Sequence, residues 1–146
     1  MANETMRKFG YPDSLVREYQ NWVVLLRPGQ VTLGSLVLAA KSDATAFGSL
    51  PAGAHAELAT ITAEIEATLK AETDYERINY LMLMMVDTHV HFHVFPRYEG
   101  ERTFEGVEIA DAGWPGPPDL KSAVTLPGHA FGALRNRLMQ NWLIIY

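Results

Sequence analysis

Cysteine is absent from all 146 residues. That excludes a disulfide framework, a thiolate nucleophile and any zinc or iron–sulfur site built on cysteine. An excess of positive charge is absent too, since 12 Lys and Arg face 17 Asp and Glu, for a formal net charge of -5. The chain therefore lacks the global basic footprint of a nucleic-acid binder, and no nucleic-acid partner is expected. An anionic substrate would have to meet a local cluster of cations or backbone donors. No run approaches the roughly 20 apolar residues that span a bilayer, so no membrane partner is expected. Residues 1–8 are polar and include Glu4, with no apolar stretch behind them, so no signal peptide is expected. A chain without cysteine is compatible with the cytoplasm, the compartment expected here. The apolar end, Trp142-Leu143-Ile144-Ile145-Tyr146, is far too short to span and should pack on the domain or on a partner chain.

What is present suits one domain over residues 1–146, with 48% hydrophobic and 20% charged residues and no repeat or linker. Trp22-Val23-Val24-Leu25-Leu26 is apolar and rich in β-branched and aromatic residues, and Arg27-Pro28-Gly29 stops it, which reads as a strand and a turn. Leu33–Ala40 is a second strand, interrupted near its start by Gly34. Leu15–Tyr19 is an edge strand or a short helix. A long helix follows, with Ser49 as N-cap, Pro51 in the first turn and Ala54, Leu58, Ile61, Ile65 and Leu69 on one face. It should stop near Glu72-Thr73-Asp74. Ile78–Val86 reads as a buried strand, or a strand and a turn, and Thr88–Phe95 as its hairpin partner. Gly106–Pro118 is rich in glycine and proline and reads as a loop. A last helix is expected over about Gly128–Trp142, with Phe131, Leu134, Leu138 and Trp142 on one side. The order predicts an α+β fold, an antiparallel sheet of about five strands with one long central helix and a C-terminal helix.

Chemistry concentrates in His89-Val90-His91-Phe92-His93-Val94-Phe95. On a strand, His89, His91 and His93 would share one face, about 6.6 Å apart, with Val90, Phe92 and Val94 entering the core on the other. Imidazole titrates near neutrality and serves as nucleophile, donor to phosphate or metal ligand. Three uses of such a row are open at this point. It could be a structural row facing solvent or a partner. It could bind zinc or nickel, with Asp87 as a further ligand. Or it could transfer a nucleotidyl group, with one ring attacking phosphorus and its neighbours donating to the phosphate oxygens. The last use requires no metal and no cofactor.

The run resembles the His-φ-His-φ-His-φ-φ signature of the histidine triad (HIT) superfamily, where φ is apolar, and Pro96-Arg97 looks like that family as well. The similarity of layout extends over roughly Asn21–Gly100. The resemblance implies a HIT-like fold and a nucleotide hydrolase or transferase acting at the α-phosphate of substrates such as dinucleoside polyphosphates and nucleoside phosphoramidates. It also implies a homodimer whose two sheets join. Carried over by position, His91 would be the nucleophile, oriented by the backbone carbonyl of His89, while His89 and His93 would stabilise phosphate and leaving group. Arg97, beside the triad, is the first candidate for a substrate-binding cation, with Arg27 and Ser35 as further candidates. Ser35 stands where many members carry another histidine. No Gly or Gln occurs in Leu81–Thr88, so the phosphate-contacting loop of many members is contracted here. The alternative from another class is a nucleotide- or metal-binding accessory protein that keeps this fold with little turnover. His55 and His129 read as surface or capping residues, Met82, Met84 and Met85 as core filler, and Trp114 as structural.

Overall fold

The computed structural model describes residues 2–145. Its elements are α1 (Glu4–Lys8), β1 (Leu15–Glu18), β2 (Trp22–Leu26), β3 (Gly29–Gln30), β4 (Leu36–Ala40), α2 (Ala52–Thr73), β5 (Arg77–Leu81), β6 (His91–Arg97), β7 (Glu101–Phe104), β8 (Val107–Ala110), β9 (Val124–Thr125) and α3 (Gly128–Gln140). Five strands form an antiparallel sheet in the order β1-β2-β4-β6-β5. The expected α+β architecture, with its five-stranded sheet, long helix and C-terminal helix, is what the structure shows.

Every residue of β2 and β4 is buried, because both faces of the sheet are covered. Alternation along each strand divides the apolar side chains between two cores. Trp22, Val24, Leu26, Leu36, Leu38, Val90 and Val94 meet Ile61, Ile65 and Leu69 of α2 and Leu134 and Leu138 of α3. Val23, Leu25, Val37 and Ala39 point the other way, onto Met6 with Phe9 beside it. That second core is small, and α1 is what closes it. Asn3 caps α1 by accepting from the Met6 N–H at 2.9 Å, and its amide donates to the Ala40 carbonyl at 3.0 Å. A polar N-terminal segment is thereby pinned over the sheet.

The long helix begins later than Ser49 suggests. Ser49 ends a short 3₁₀ turn, Phe47–Ser49, and Pro51 takes the cap position without a side-chain bond. The Ala54 N–H, one of those a capping side chain would meet, donates instead to the Pro51 carbonyl at 2.9 Å. The expected stop is found at Asp74, whose backbone is left-handed with φ 48°. Leu33–Ala40 is a strand only from Leu36. Gly34 turns the chain with φ +92°, and a Cβ there would come within 3.2 Å of Leu69. The expected loop Gly106–Pro118 also needs correction, since Val107–Ala110 is β8. Glu105 and Gly106, at φ 49° and 76°, form the two-residue turn joining it to β7. Leu15–Tyr19 resolves as a strand, β1.

Glu64, 2% exposed on α2, fastens the far end of the chain. It accepts from the Tyr19 hydroxyl at 2.6 Å, the Trp142 indole at 3.1 Å and the Ile145 N–H at 3.1 Å. Burial pushes its carboxyl up, but the donors together outweigh burial and hold the pKa below the ordinary value. A depressed native pKa adds stability above the unfolded-state value and loses it as pH falls through the native one. Glu64→Gln should therefore flatten the acid limb of stability against pH. Urea unfolding between about pH 7 and pH 3 reads this directly; equal acid slopes in wild type and variant would contradict it.

Candidate active site

β6 places His91, His93, Phe95 and Arg97 on the sheet face turned toward α1, with Val94 on the opposite face. The strand starts at His91, so only two of the three histidines form the expected ladder. Their rings lie 5.1 Å apart, centroid to centroid, nearly perpendicular. His89 precedes the strand in an irregular stretch. Its ring is half-buried, with Nδ1 3.4 Å from the Thr5 hydroxyl of α1. The displacement has a local cause. The backbone bends at His89 so that its carbonyl turns back onto the His91 ring, while Val90 pairs with Ala44 and Ala40.

That carbonyl decides the state of His91. It lies 2.8 Å from Nδ1. A carbonyl only accepts, so Nδ1 carries the proton and Nε2 of the neutral ring holds a lone pair. Among the described residues no protein group bonds this Nε2. His91 and His93 line a cavity of about 160 Å³, with Leu83, Met84, Met85, Val86 and Asp87 of the preceding loop. Met82 and Met84 pack against the core as expected, whereas Met85 is 85% exposed at the rim. Phe9 covers the opposite side, its ring 5.7 Å from His91 and 5.4 Å from His93. His91 is only 2% exposed as a result. Lys8 of α1 pairs with Asp87 at 2.9 Å, tying the cover to the loop.

His93 is held neutral. Burial first, then the Arg27 and His91 charges, push its pKa down to about 4. The Arg27 Nε–H points at its Nδ1 from 3.3 Å, so Arg27 does reach the site. Arg97 does not. It is 3% exposed and forms a two-pronged ion pair with Asp111, at 2.7 and 3.0 Å. It also donates to Asn79 and to the Gly116 carbonyl. Its charge is already matched inside the fold, and it lines a different cavity from the imidazoles, with Arg77, Asn79 and Trp114. Ser35 is likewise committed elsewhere. Its hydroxyl is fully buried, donates to the Thr32 carbonyl at 2.7 Å and accepts from the Thr32 N–H at 3.0 Å. Among the described residues no three His, Asp or Glu side chains stand where they could share a metal ion. A guanidinium against His93 also repels a cation there.

Phe9, Lys8 and Thr5 escape the sequence reading, though the apolar pair Met6 and Phe9 inside a polar stretch is a usable signal for a capping turn of helix. Asp111 offers no signal, because an acid in a Gly- and Pro-rich stretch looks solvated.

No protein-family model matches the chain, and no curated protein is detectably similar in sequence. Solved structures are similar in fold. A histidine triad protein of Marinobacter aquaeolei superposes with a TM-score of 0.76 at 17% identity, over 97% of this chain and 95% of that one. One of Bradyrhizobium japonicum gives 0.75 at 16%, over 98% of both chains. The chain has the histidine triad fold. A HIT protein of Sinorhizobium meliloti gives 0.74 at 24% identity, over 97% of this chain and 96% of that one. No helix is long and apolar enough to cross a membrane among the described residues.

Proposed function

We propose that the chain is a HIT-type nucleotide hydrolase or nucleotidyl transferase acting at an α-phosphate through a nucleotidyl-His91 intermediate. One observation carries the reading: the His89 carbonyl fixes the His91 proton on Nδ1 and leaves Nε2 with a lone pair and no protein partner among the described residues, on a ring that lines the cavity. In the first step Nε2 attacks phosphorus, an N–P bond forms, and the bond from phosphorus to the leaving group breaks. The leaving group departs with the electron pair and takes a proton from water. The ring becomes cationic, and its Nδ1–H bond to the His89 carbonyl strengthens with that charge. Water then adds to phosphorus, the N–P bond breaks, and a nucleoside monophosphate leaves with His91 neutral again; another nucleophile in place of water completes a transfer. His93 and His89 donate to phosphate oxygens and the leaving group. His93→Asn or His89→Asn should slow turnover about a hundred- to thousandfold, the cost of one lost donor to developing charge. Steady-state rates on a panel of dinucleoside polyphosphates and nucleoside phosphoramidates test the function. Release of a nucleoside monophosphate supports it, and binding without product would sink it.

The second reading, an accessory protein with this fold and little turnover, is favoured by one feature. The cavity beside both imidazoles measures only about 160 Å³, and Phe9 covers their other side, leaving His91 2% exposed.

A twofold homodimer working in the cytoplasm completes the proposal. The outer edge of β5 has no partner strand among the described residues, and Leu143, Ile144 and Ile145 are nearly half exposed. Sedimentation at micromolar concentration should give twice the 16.3 kDa chain mass. A species at the single-chain mass would remove the dimer.

A further inference from the structure

We infer that Arg27 is a positioning residue for His93: it fixes which ring nitrogen carries the proton and so makes His93 a neutral donor aimed into the cavity. The inference rests on the proposed reaction for its purpose but not for its geometry. A guanidinium has five N–H donors and no acceptor. Its Nε–H faces His93 Nδ1 at 3.3 Å, so that nitrogen must present a lone pair, and the proton of the neutral ring sits on Nε2. His91 has the opposite arrangement, with the proton on Nδ1. Two neighbouring imidazoles are thus set to complementary tasks, one exposing a lone pair and the other an N–H.

Arg27 is built into this place. Its terminal NH1 donates to the Gly29 carbonyl at 2.6 Å, and its guanidinium lies 5.6 Å from the Phe95 ring centroid. Phe95 in turn stacks flat on His93, with 6° between the planes and 6.1 Å between the centroids. Behind it, the Gln30 amide donates to the Arg27 carbonyl at 2.7 Å and to the Ser35 carbonyl at 2.9 Å, so the backbone under Arg27 is stapled. The charged groups that bear on His93 are Arg27 from beyond β2, His91 on its own strand, Asp87 of the loop and Lys8 of α1. Of these only Asp87 favours protonation, and it is already paired with Lys8. A protonated His93 would set an N–H against the Arg27 N–H. Arg27 therefore resists that state as well as the wrong tautomer. A neutral imidazole is a poor acid, so His93 stabilises phosphate charge by hydrogen bonding, and the leaving group draws its proton from water.

Nitrogen-15 NMR of the assigned imidazoles tests this without substrate, so its outcome is independent of whether nucleotidyl transfer occurs. In the wild type, His93 should show an unprotonated Nδ1 and a protonated Nε2, unchanged from pH 8 down to about pH 5. In Arg27→Gln, the His93 titration should rise by about one unit toward its ordinary value, and the Nδ1–H tautomer should appear. Arg27→Lys, which keeps the charge but not the planar fork, should hold the titration low while loosening the tautomer. Where turnover is measurable, Arg27→Gln should lower kcat more than it raises KM. A wild-type His93 protonated on Nδ1 overturns the inference, even if no variant folds. So does an Arg27→Gln protein whose His93 spectrum is unchanged while KM rises, which would make Arg27 a substrate ligand.

Discussion

His91→Asn should abolish nucleotidyl transfer while the protein remains folded. Asparagine is shorter than histidine but can still donate its amide N–H near the His89 carbonyl, so the bend before β6 keeps a partner. What it lacks is a basic ring nitrogen. His93 cannot stand in for it, because its open nitrogen carries a proton and its other nitrogen faces Arg27. His89 precedes the strand, with its Nδ1 3.4 Å from the Thr5 hydroxyl, and serves in the proposed step as a donor. The loss should therefore exceed the effect of His93→Asn or His89→Asn by a wide margin, since those variants each remove a donor and keep the nucleophile. Turnover at saturating substrate checks the order. Wild-type turnover in His91→Asn would end the covalent mechanism.

Asp111→Ala should cost about 3–5 kcal/mol, the effect of leaving one member of a buried ion pair without its partner. The Asp111 side chain is fully buried and that of Arg97 is 3% exposed. Asp111 also accepts from the Tyr98 N–H at 3.2 Å, so its loss frees two buried donors groups at once. That cost is a large part of the 5–15 kcal/mol by which a domain is ordinarily stable. Replacing both partners, as Arg97→Met with Asp111→Leu, should recover much of it, because no charge is then stranded. Urea unfolding of the two variants measures both effects. A loss under about 1 kcal/mol for Asp111→Ala would mean that the pair behaves like an exposed one. Any folded Asp111→Ala protein should still form the His91 adduct, since Arg97 holds the Asp111–Gly116 segment and does not touch the imidazoles.

Periodicity made the sheet and helices legible because burial has a simple period. The even-numbered residues of β2, β4 and β6 face one core, and Ile61, Ile65 and Leu69 recur at helical spacing against it. The same alternation set His91 and His93 on one face. Alternation could not show that the strand starts at His91, because the bend at His89 depends on a hydrogen bond between a ring and a carbonyl rather than on residue type. Proximity in sequence could not show the partner of Arg97. A cation next to a triad looks free until Asp111, fourteen positions on, is folded against it. The local turn that Ser35 makes with Thr32 was hidden as well, since neither residue type by itself marks it. Arg27 was legible as a cation near the strand end, but its contact with His93, sixty-six positions away, needed the register of the sheet. The cover formed by α1 was hidden by its polar composition, with only Met6 and Phe9 to mark its buried side.

The central claim is that the open nitrogen of His91 becomes covalently nucleotidylated. Intact-mass spectrometry of the protein, quenched in alkali soon after mixing with a nucleoside phosphoramidate or dinucleoside polyphosphate, tests it most directly. The wild type should gain the mass of one nucleotidyl group, mapped by peptide fragmentation to His91, and His91→Asn should gain none. An adduct that persists in His91→Asn, or one mapped to His89 or His93, would contradict the account.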